Sequence, residues 1–475
     1  MQMFDLLLKL QETNPVVHQE INGKSWTACD ILDQVWPRVH ALTARNVVAG
    51  NAVILFVDDT FKYICTFWAL TAVGAKIIPL LKGDDNHQLN RVLSRHAIDH
   101  IITDEVLADV GTVPVYNVAE LDSGIKDPVA VYQYLENDTY VCYPTSGTSG
   151  GFKLISHTNI SVNSSVNTLL ELTQFFKDNK GHRGDMLFCP AKFAFGVGSW
   201  FNVLGPVALG YVSLIGFKSS NMRDILSILD KYQVKYLTVM PHFLEFMNNH
   251  VDGCLPPSVQ AITSAGDFLL SPTAYNFKNK FNIDIFNLYG MTEYGCIAYG
   301  PYVSSSMAGK ILTINNMKVR IVDDDGNECG INQSGIIQVL GPCVFKEYLD
   351  DVSATNHVVR DGWIHTNDIG QITDSGELML FGRRNSYFKL RGKWISAIDI
   401  ENKVLKATHV TDCVVTYADG SLLIKLVVPD LSMQLQVKTL ILDKFKRSFR
   451  SLNIEFIDEV PRTLTMKKLR PHKYE

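Results

Sequence analysis

The chain has 475 residues, a length that corresponds to about three folding units merged into two domains. With 46% apolar and 20% charged residues it is neither a disordered chain nor a fibrous repeat. A net charge of −5 excludes a general nucleic-acid binder, which needs a basic footprint, but allows a local site for a small anion.

The N-terminal run MQMFDLLLKLQETN carries an early Asp5 and no basic n-region, so it predicts a short amphipathic helix, not a signal peptide. Ala52–Val57 is a buried-strand pattern, followed by helical periodicity over Phe61–Val73, then Gly74 and a strand at Lys76–Leu81. Strand, helix, strand at this spacing is a βαβ unit with a parallel pair. Further apolar strands follow at Ile101–Thr103, Val234–Val239 and Ala261–Thr263, which implies doubly wound α/β layers. No charge occurs between Lys192 and Lys218, long enough to span a bilayer. Glycines 196, 198, 205, 210 and 216, with Pro206, favour a buried turn, helix and strand over a membrane span.

After about Met307 the pattern changes to short strands with Gly/Asp turns: Lys318–Asn327, Ile336–Leu340 and Glu377–Phe381. They predict a β-rich subdomain over roughly 310–382. Residues 386–475 mix helices and strands again, at Ile398–Lys406, Cys413–Tyr417, Leu422–Val428 and Gln434–Phe449. The expected fold is α/β. A large N-terminal domain, 1–384, combines two doubly wound α/β subdomains with the β-rich one. A small mobile α+β domain, 385–475, is hinged at the short polar Arg384-Asn385-Ser386. The nine cysteines are odd in number, scattered, and contain no CxxC, so neither a disulfide framework nor a zinc site is expected. Reduced thiols suit a cytoplasmic protein.

The strongest local signal is Tyr140–Lys153, YVCYPTSGTSGGFK. Glycines let backbone N–H groups approach phosphate oxygens, hydroxyls add donors, and Lys153 adds a point charge. It is not a Walker A loop, because Phe152 precedes and Leu154 follows the lysine. Gly196-Val197-Gly198 lacks the third glycine of a dinucleotide fingerprint.

Thr145-Ser146-Gly147-Thr148-Ser149-Gly150…Lys153 resembles the phosphate loop of the adenylate-forming superfamily, which includes acyl- and aryl-CoA synthetases, adenylation domains and luciferases. Asn287–Glu293 resembles that family's N-x-Y-G-x-T-E. Asp361–Asp368 resembles its D-G-W-x-x-T-G-D. Gly382-Arg383…Lys389…Gly392 resembles its hinge, and Pro461-Arg462-Thr463…Lys467 its C-terminal motif. The order and spacing agree, and the resemblance covers essentially the whole chain. It implies ATP, Mg²⁺ and coenzyme A, or a carrier-bound phosphopantetheine, as cofactors. It also implies roles. Glu293 anchors Mg²⁺, a cation that takes one or two carboxylates plus phosphates. Asp368 accepts from ribose hydroxyls, and Arg383 holds the sugar or a phosphate. Tyr289 offers a face for adenine, and Thr292 lies beside it. Ser264-Ala265-Gly266-Asp267 flanks the base, with Asp267 shorter than the usual glutamate. Lys467 reaches the carboxylate and α-phosphate during adenylation. The small domain then rotates and presents the Lys389–Gly392 loop to a thiol.

Pro190–Gly198 resembles the acyl-pocket segment of benzoate- and anthranilate-type CoA ligases, which marks Phe195, Val197 and Gly198, with Ser264 and Gly290, as substrate-binding. Val197 stands where that branch has tyrosine. Other departures are Phe152 for proline, Leu154 for glycine, Asn367 for the middle glycine of T-G-D, Asn385 for the hinge aspartate, and Met466 for the glycine before Lys467.

The expected activity is ATP-dependent conversion of a small carboxylic acid, aromatic on the pocket's resemblance, to an acyl-adenylate and then a thioester of coenzyme A. Two alternatives stay open: loading onto an acyl carrier protein, and a non-catalytic relative that binds nucleotide or acyl ligand. No nucleic-acid partner and no membrane span are expected, and the chain would be a monomer or homodimer.

Overall fold

The computed structural model describes residues 2–82, 86–108, 110–145, 152–177, 184–302, 307–311, 317–390, 393–407, 410–418, 421–445, 449, 451–462 and 468. The architecture is α/β, built on two large sheets and two small ones. In the first large sheet Ala52–Phe56, Lys76–Pro79, His100–Thr103, Val115–Asn117 and Thr139–Pro144 run parallel. The antiparallel Leu154–Thr158 and Glu347–Tyr348 complete its other edge. The Phe61–Val73 helix lies buried on nearly every face. That explains why Lys62 is its only charged residue, since a helix covered on nearly every face has no broad polar stripe. It ends at Gly74, whose φ of +87° and contact with the Tyr132 ring, 2.4 Å from a hypothetical Cβ, exclude any larger residue.

The second large sheet joins what the sequence pattern separates. Val16–Glu20, Val212–Ile215, Met186–Phe188, Tyr236–Val239, Ala261–Ser264 and Ile285–Met291 form a parallel half. Ile285–Met291 then turns back into Gly295–Pro301. From there Met307–Ile311, Glu377–Arg383, Trp363–Ile372, Gly335–Leu340 and Lys318–Val322 extend the sheet antiparallel. The β-rich strands are thus continuous in hydrogen bonding with the second α/β subdomain.

The charge-free segment is helical from Gly196 to Leu209 and then forms the interior strand Val212–Ile215. No described helix is long and apolar enough to cross a membrane. After residue 386, Tyr387–Leu390 pairs with Lys393–Ser396. Asp412–Ala418, Ser421–Val427 and Ser451–Phe456 make a three-stranded sheet of their own, packed with Ala397–Ala407 and Gln434–Phe445 around a separate apolar core. The last helix is assigned to Phe445, short of the expected Phe449; residues 446–448 lie outside the described set.

Candidate active site

The glycine-rich loop sits at the tip of a hairpin. Its flanking strands pair Pro144 with Leu154. The mouth is closed by Thr145 N–H donating to the Lys153 carbonyl at 2.9 Å and Lys153 N–H donating to Thr145 Oγ1 at 3.1 Å. Ser146, Gly147, Thr148, Ser149 and Gly150 lie outside the described residues. Lys153 leads into the Leu154–Thr158 strand and not directly into a helix. The Lys153 ammonium lies 4.4 Å above the Tyr348 ring. Phe152 and Leu154, both departures from the family pattern, are buried in the core of the first sheet.

Glu293 follows the Ile285–Met291 strand and is 7% exposed. Its backbone carbonyl accepts from Phe345 N–H at 2.7 Å, and its Oε1 accepts from the Tyr348 hydroxyl at 2.9 Å. The neighbouring Thr292 carbonyl is 2.7 Å from Nε2 of buried His157, whose Nδ1 meets Ser161 Oγ at 3.0 Å. Burial pushes His157 down to about 4, so its ring is neutral and orients that carbonyl without adding charge. Gly290 is required by packing: a Cβ there would lie 2.0 Å from the Gly295 carbonyl oxygen.

Across the sheet, Asp368 and Arg383 are directly paired residues of adjacent strands. Asp368 Oδ1 lies 3.0 Å from Arg383 Nε, and Oδ2 accepts from the Tyr289 hydroxyl at 2.6 Å. Tyr294 donates to Tyr289 at 3.2 Å, and Arg383 also donates to the Thr366 carbonyl at 3.1 Å. Asp368 raises the Arg383 pKa, whereas burial raises those of both tyrosines, so the arginine stays charged and the phenols neutral. Asn367 has φ of +58°, which accounts for the family's glycine there: asparagine is among the few other residues that tolerate this region.

A cavity of about 1270 Å³ opens beside these groups. Its lining includes Ala265, Gly266, Gly290 and Thr292 together with Phe195, Gly196, Val197 and Trp200. Gly196 lets the Trp200 ring come close, 3.3 Å from where a Cβ would sit. Residues 411–412, 427, 458–460 and 462 of the C-terminal region complete the wall.

The structure therefore gathers Phe195, Val197, Ala265, Gly266, Gly290 and Thr292 on one cavity. Thr145, Lys153, Glu293, Asp368 and Arg383 are not on its lining, and four further expected residues are placed as follows. Gly198 is not on the cavity wall; it packs under the Lys192 carbonyl, 2.0 Å from a hypothetical Cβ. Ser264 is fully buried behind the wall. Asp267 is off the wall and its Oδ1 accepts from Phe268 N–H at 2.8 Å. The Tyr289 ring is buried in the core with its hydroxyl on Asp368, so in this state it offers no open face. Gly392 and Lys467 lie outside the described residues. Sequence reasoning missed Tyr348 and His157. Each is one aromatic or histidine in an ordinary strand, with no local pattern to mark it.

Residues 13–349 match the AMP-binding enzyme family. Relatives include a 2-succinylbenzoate–CoA ligase of Bacillus pumilus, 24% identical over 95% of this chain and 93% of that protein. A D-alanine–D-alanyl carrier protein ligase of Streptococcus agalactiae is 25% identical over 78% of this chain and 76% of its own length. A 4-coumarate–CoA ligase-like protein of Arabidopsis thaliana is 26% identical over 59% of this chain, which spans only 51% of that relative. ATP-bound MatB from Rhodopseudomonas palustris has the same fold, with a TM-score of 0.85 at 18% identity, covering 98% of this chain and 97% of that one. Motifs, fold and family match agree: the chain belongs to the AMP-binding enzyme family, adenylating enzymes that include acid–CoA ligases.

Proposed function

We propose that this chain activates an aromatic carboxylic acid with ATP and transfers the acyl group to coenzyme A. The observation that carries this reading is the shared cavity. It is lined both by Ala265, Gly266 and Thr292, from the motifs expected at the nucleotide, and by the glycine and aromatic residues Phe195, Gly196 and Trp200, from or next to the segment expected at the acid. In the first step a carboxylate oxygen attacks the α-phosphorus, the bond to the bridging oxygen breaks, and pyrophosphate leaves. In the second a thiolate attacks the acyl carbon and AMP leaves.

Asp368 and Arg383 hold the ribose. Lys153, with Thr145 and the 146–150 loop, holds the phosphates. Lys467 neutralises charge at the reacting carboxylate and α-phosphate, where positioning and electrostatics supply most of the rate. Glu293 fits Mg²⁺: it is a single hard carboxylate joined through Tyr348 to Lys153, the lysine that ends the glycine-rich segment. Mg²⁺ binding there leaves positions for phosphate and water. When bound, the ion neutralises phosphate charge. Residues 385–475 act as a hinged domain that presents the Gly392 loop after adenylation. The absence of any disulfide among the described residues and the use of ATP suit a cytoplasmic setting.

The test is acid-dependent pyrophosphate exchange across benzoates, anthranilate, cinnamates and fatty acids, repeated with coenzyme A and with a phosphopantetheinylated carrier. Exchange confined to aromatic acids, with thioester formed on coenzyme A, supports the proposal. Exchange with no acid overturns it. The similarity to a carrier-protein ligase favours one second reading, carrier loading, which preferential transfer to the carrier would establish.

A further inference from the structure

We infer that Glu245 is a positioning residue for adenylation, a clamp on the large domain that holds the C-terminal tail at the cavity. A terminal basic run is normally solvated. Here two of its cations are buried between the domains. Glu245 lies on the Pro241–His250 helix, and its Oε2 accepts from Arg462 Nη2 at 2.8 Å. Its Oε1 stands 4.0 Å from Lys468 Nζ. Asp412, at the start of its own strand, takes both cations at 2.5 Å. Lys468 also donates to the Cys413 carbonyl at 3.1 Å. No side chain in the cluster is more than 17% exposed.

The four charges balance. A buried cation is tolerated only when paired, and removing one partner leaves an uncompensated charge. The partition between domains is uneven. Asp412, Arg462 and Lys468 belong to the C-terminal region and move together, whereas Glu245 alone belongs to the large region. Any rotation of the small domain must break the Glu245 contacts and can keep the others. The backbones of Arg462 and Lys468 form an antiparallel bridge, so the clamp grips both residues that flank the segment carrying Lys467. Glu245, Asp412 and Arg462 also line the cavity, which puts the clamp on the wall that Phe195 and Thr292 share. Lys468, engaged this way, is not the lysine free to reach substrate in this state.

This inference rests on the two-step reading above. Its test uses the full chain with Glu245→Gln and, separately, Lys468→Met, which retains apolar volume. Each half-reaction is assayed alone: pyrophosphate exchange, and thioester formation from supplied acyl-adenylate and coenzyme A. Amide hydrogen exchange is followed in the Pro241–His250 helix and around Thr411–Cys413. The clamp predicts at least a tenfold fall in pyrophosphate exchange, a thioester step unchanged or faster, and lost protection confined to those two segments. Equal loss in both half-reactions, or protection unchanged in both variants, overturns it. If the wild-type chain exchanges pyrophosphate with no acid, the functional reading fails and hydrogen exchange alone decides the clamp: local release supports it, unchanged protection overturns it.

Discussion

The two sides of the cavity are held in different ways. Beside the Gly290–Thr292 wall, in the set proposed to cradle the nucleotide, Asp368, Arg383, Tyr289 and Tyr294 form one hydrogen-bonded group on and next to strands of a single sheet. Glu293, Tyr348 and Lys153 are tied across the junction of the two large sheets. Elsewhere the cavity wall is partly supplied by the C-terminal region, and its ion pairs join the Pro241–His250 helix to Arg462 and Arg462 to Asp412. The first arrangement is preorganised; the second, on the two-step reading proposed above, is made and unmade. A site that runs two chemistries in sequence needs both, a fixed nucleotide cradle and a movable wall.

The change with the largest expected effect breaks the movable side. Lys467→Ala should lower pyrophosphate exchange by about 10³-fold, the scale of removing one preorganised charge from a reacting centre. Thioester formation from supplied acyl-adenylate should be spared. Equal loss of both half-reactions would remove Lys467 from its assigned role.

The fixed side is sensitive to acid. Burial lowers His157 from 6.5 to about 4. Its folded-state pKa lies below the unfolded value, so the unfolded chain binds the extra proton first. Stability is therefore full above about pH 6.5 and falls as the pH drops toward 4, by up to about 3 kcal/mol. Denaturant unfolding of wild type and His157→Gln at pH 7.5 and pH 5 checks this. The variant should be less stable at pH 7.5 and lose less on acidification. Parallel losses in both proteins would show that His157 does not titrate as its burial requires.

The family and the fold were legible in sequence because adenylation chemistry requires particular residue types at fixed spacing. Asp368 and Arg383 stand in recognisable motifs, and the parallel strands announce themselves as β-branched runs such as Ala52–Phe56. Even the departures made sense once backbone angles were known, as Asn367 shows. Three things were not legible. The continuity of the second sheet depends on the pairing of Met307–Ile311 with Glu377–Arg383, about seventy positions apart, and no local pattern encodes it. Gly198 and Ser264 were misplaced because a motif fixes position along the chain, not which side faces the cavity. The Glu245 cluster was invisible because its partners are scattered over more than two hundred positions and each alone reads as a solvated charge.

Asp368→Asn probes the fixed cradle at its centre. The amide can still accept from Tyr289 but leaves the Arg383 guanidinium without its carboxylate. A hydrogen bond to a charged group contributes about 1.5–3 kcal/mol, so kcat/KM for ATP should fall about 10- to 100-fold. The KM for the acid should change little, because the acyl slot lies on other residues. A proportionate rise in the acid KM would mean that the two sides are not separable in the way their contacts suggest.

Tyr348→Phe is the smallest and most discriminating change. It keeps the ring beneath the Lys153 ammonium and removes only the hydroxyl that Glu293 Oε1 accepts. If Glu293 anchors Mg²⁺, a loosened carboxylate should raise the Mg²⁺ concentration needed for half-maximal exchange by about tenfold at most, with kcat nearly restored at saturating metal. The KM for ATP measured at saturating Mg²⁺ should stay close to wild type, since Lys153 and its ring partner remain. A fall in kcat that excess Mg²⁺ does not repair would place the hydroxyl in the folding of the junction rather than in aiming Glu293. The fixed side would then be rigid for stability alone, and its preorganisation would have to be sought in Asp368 and Arg383.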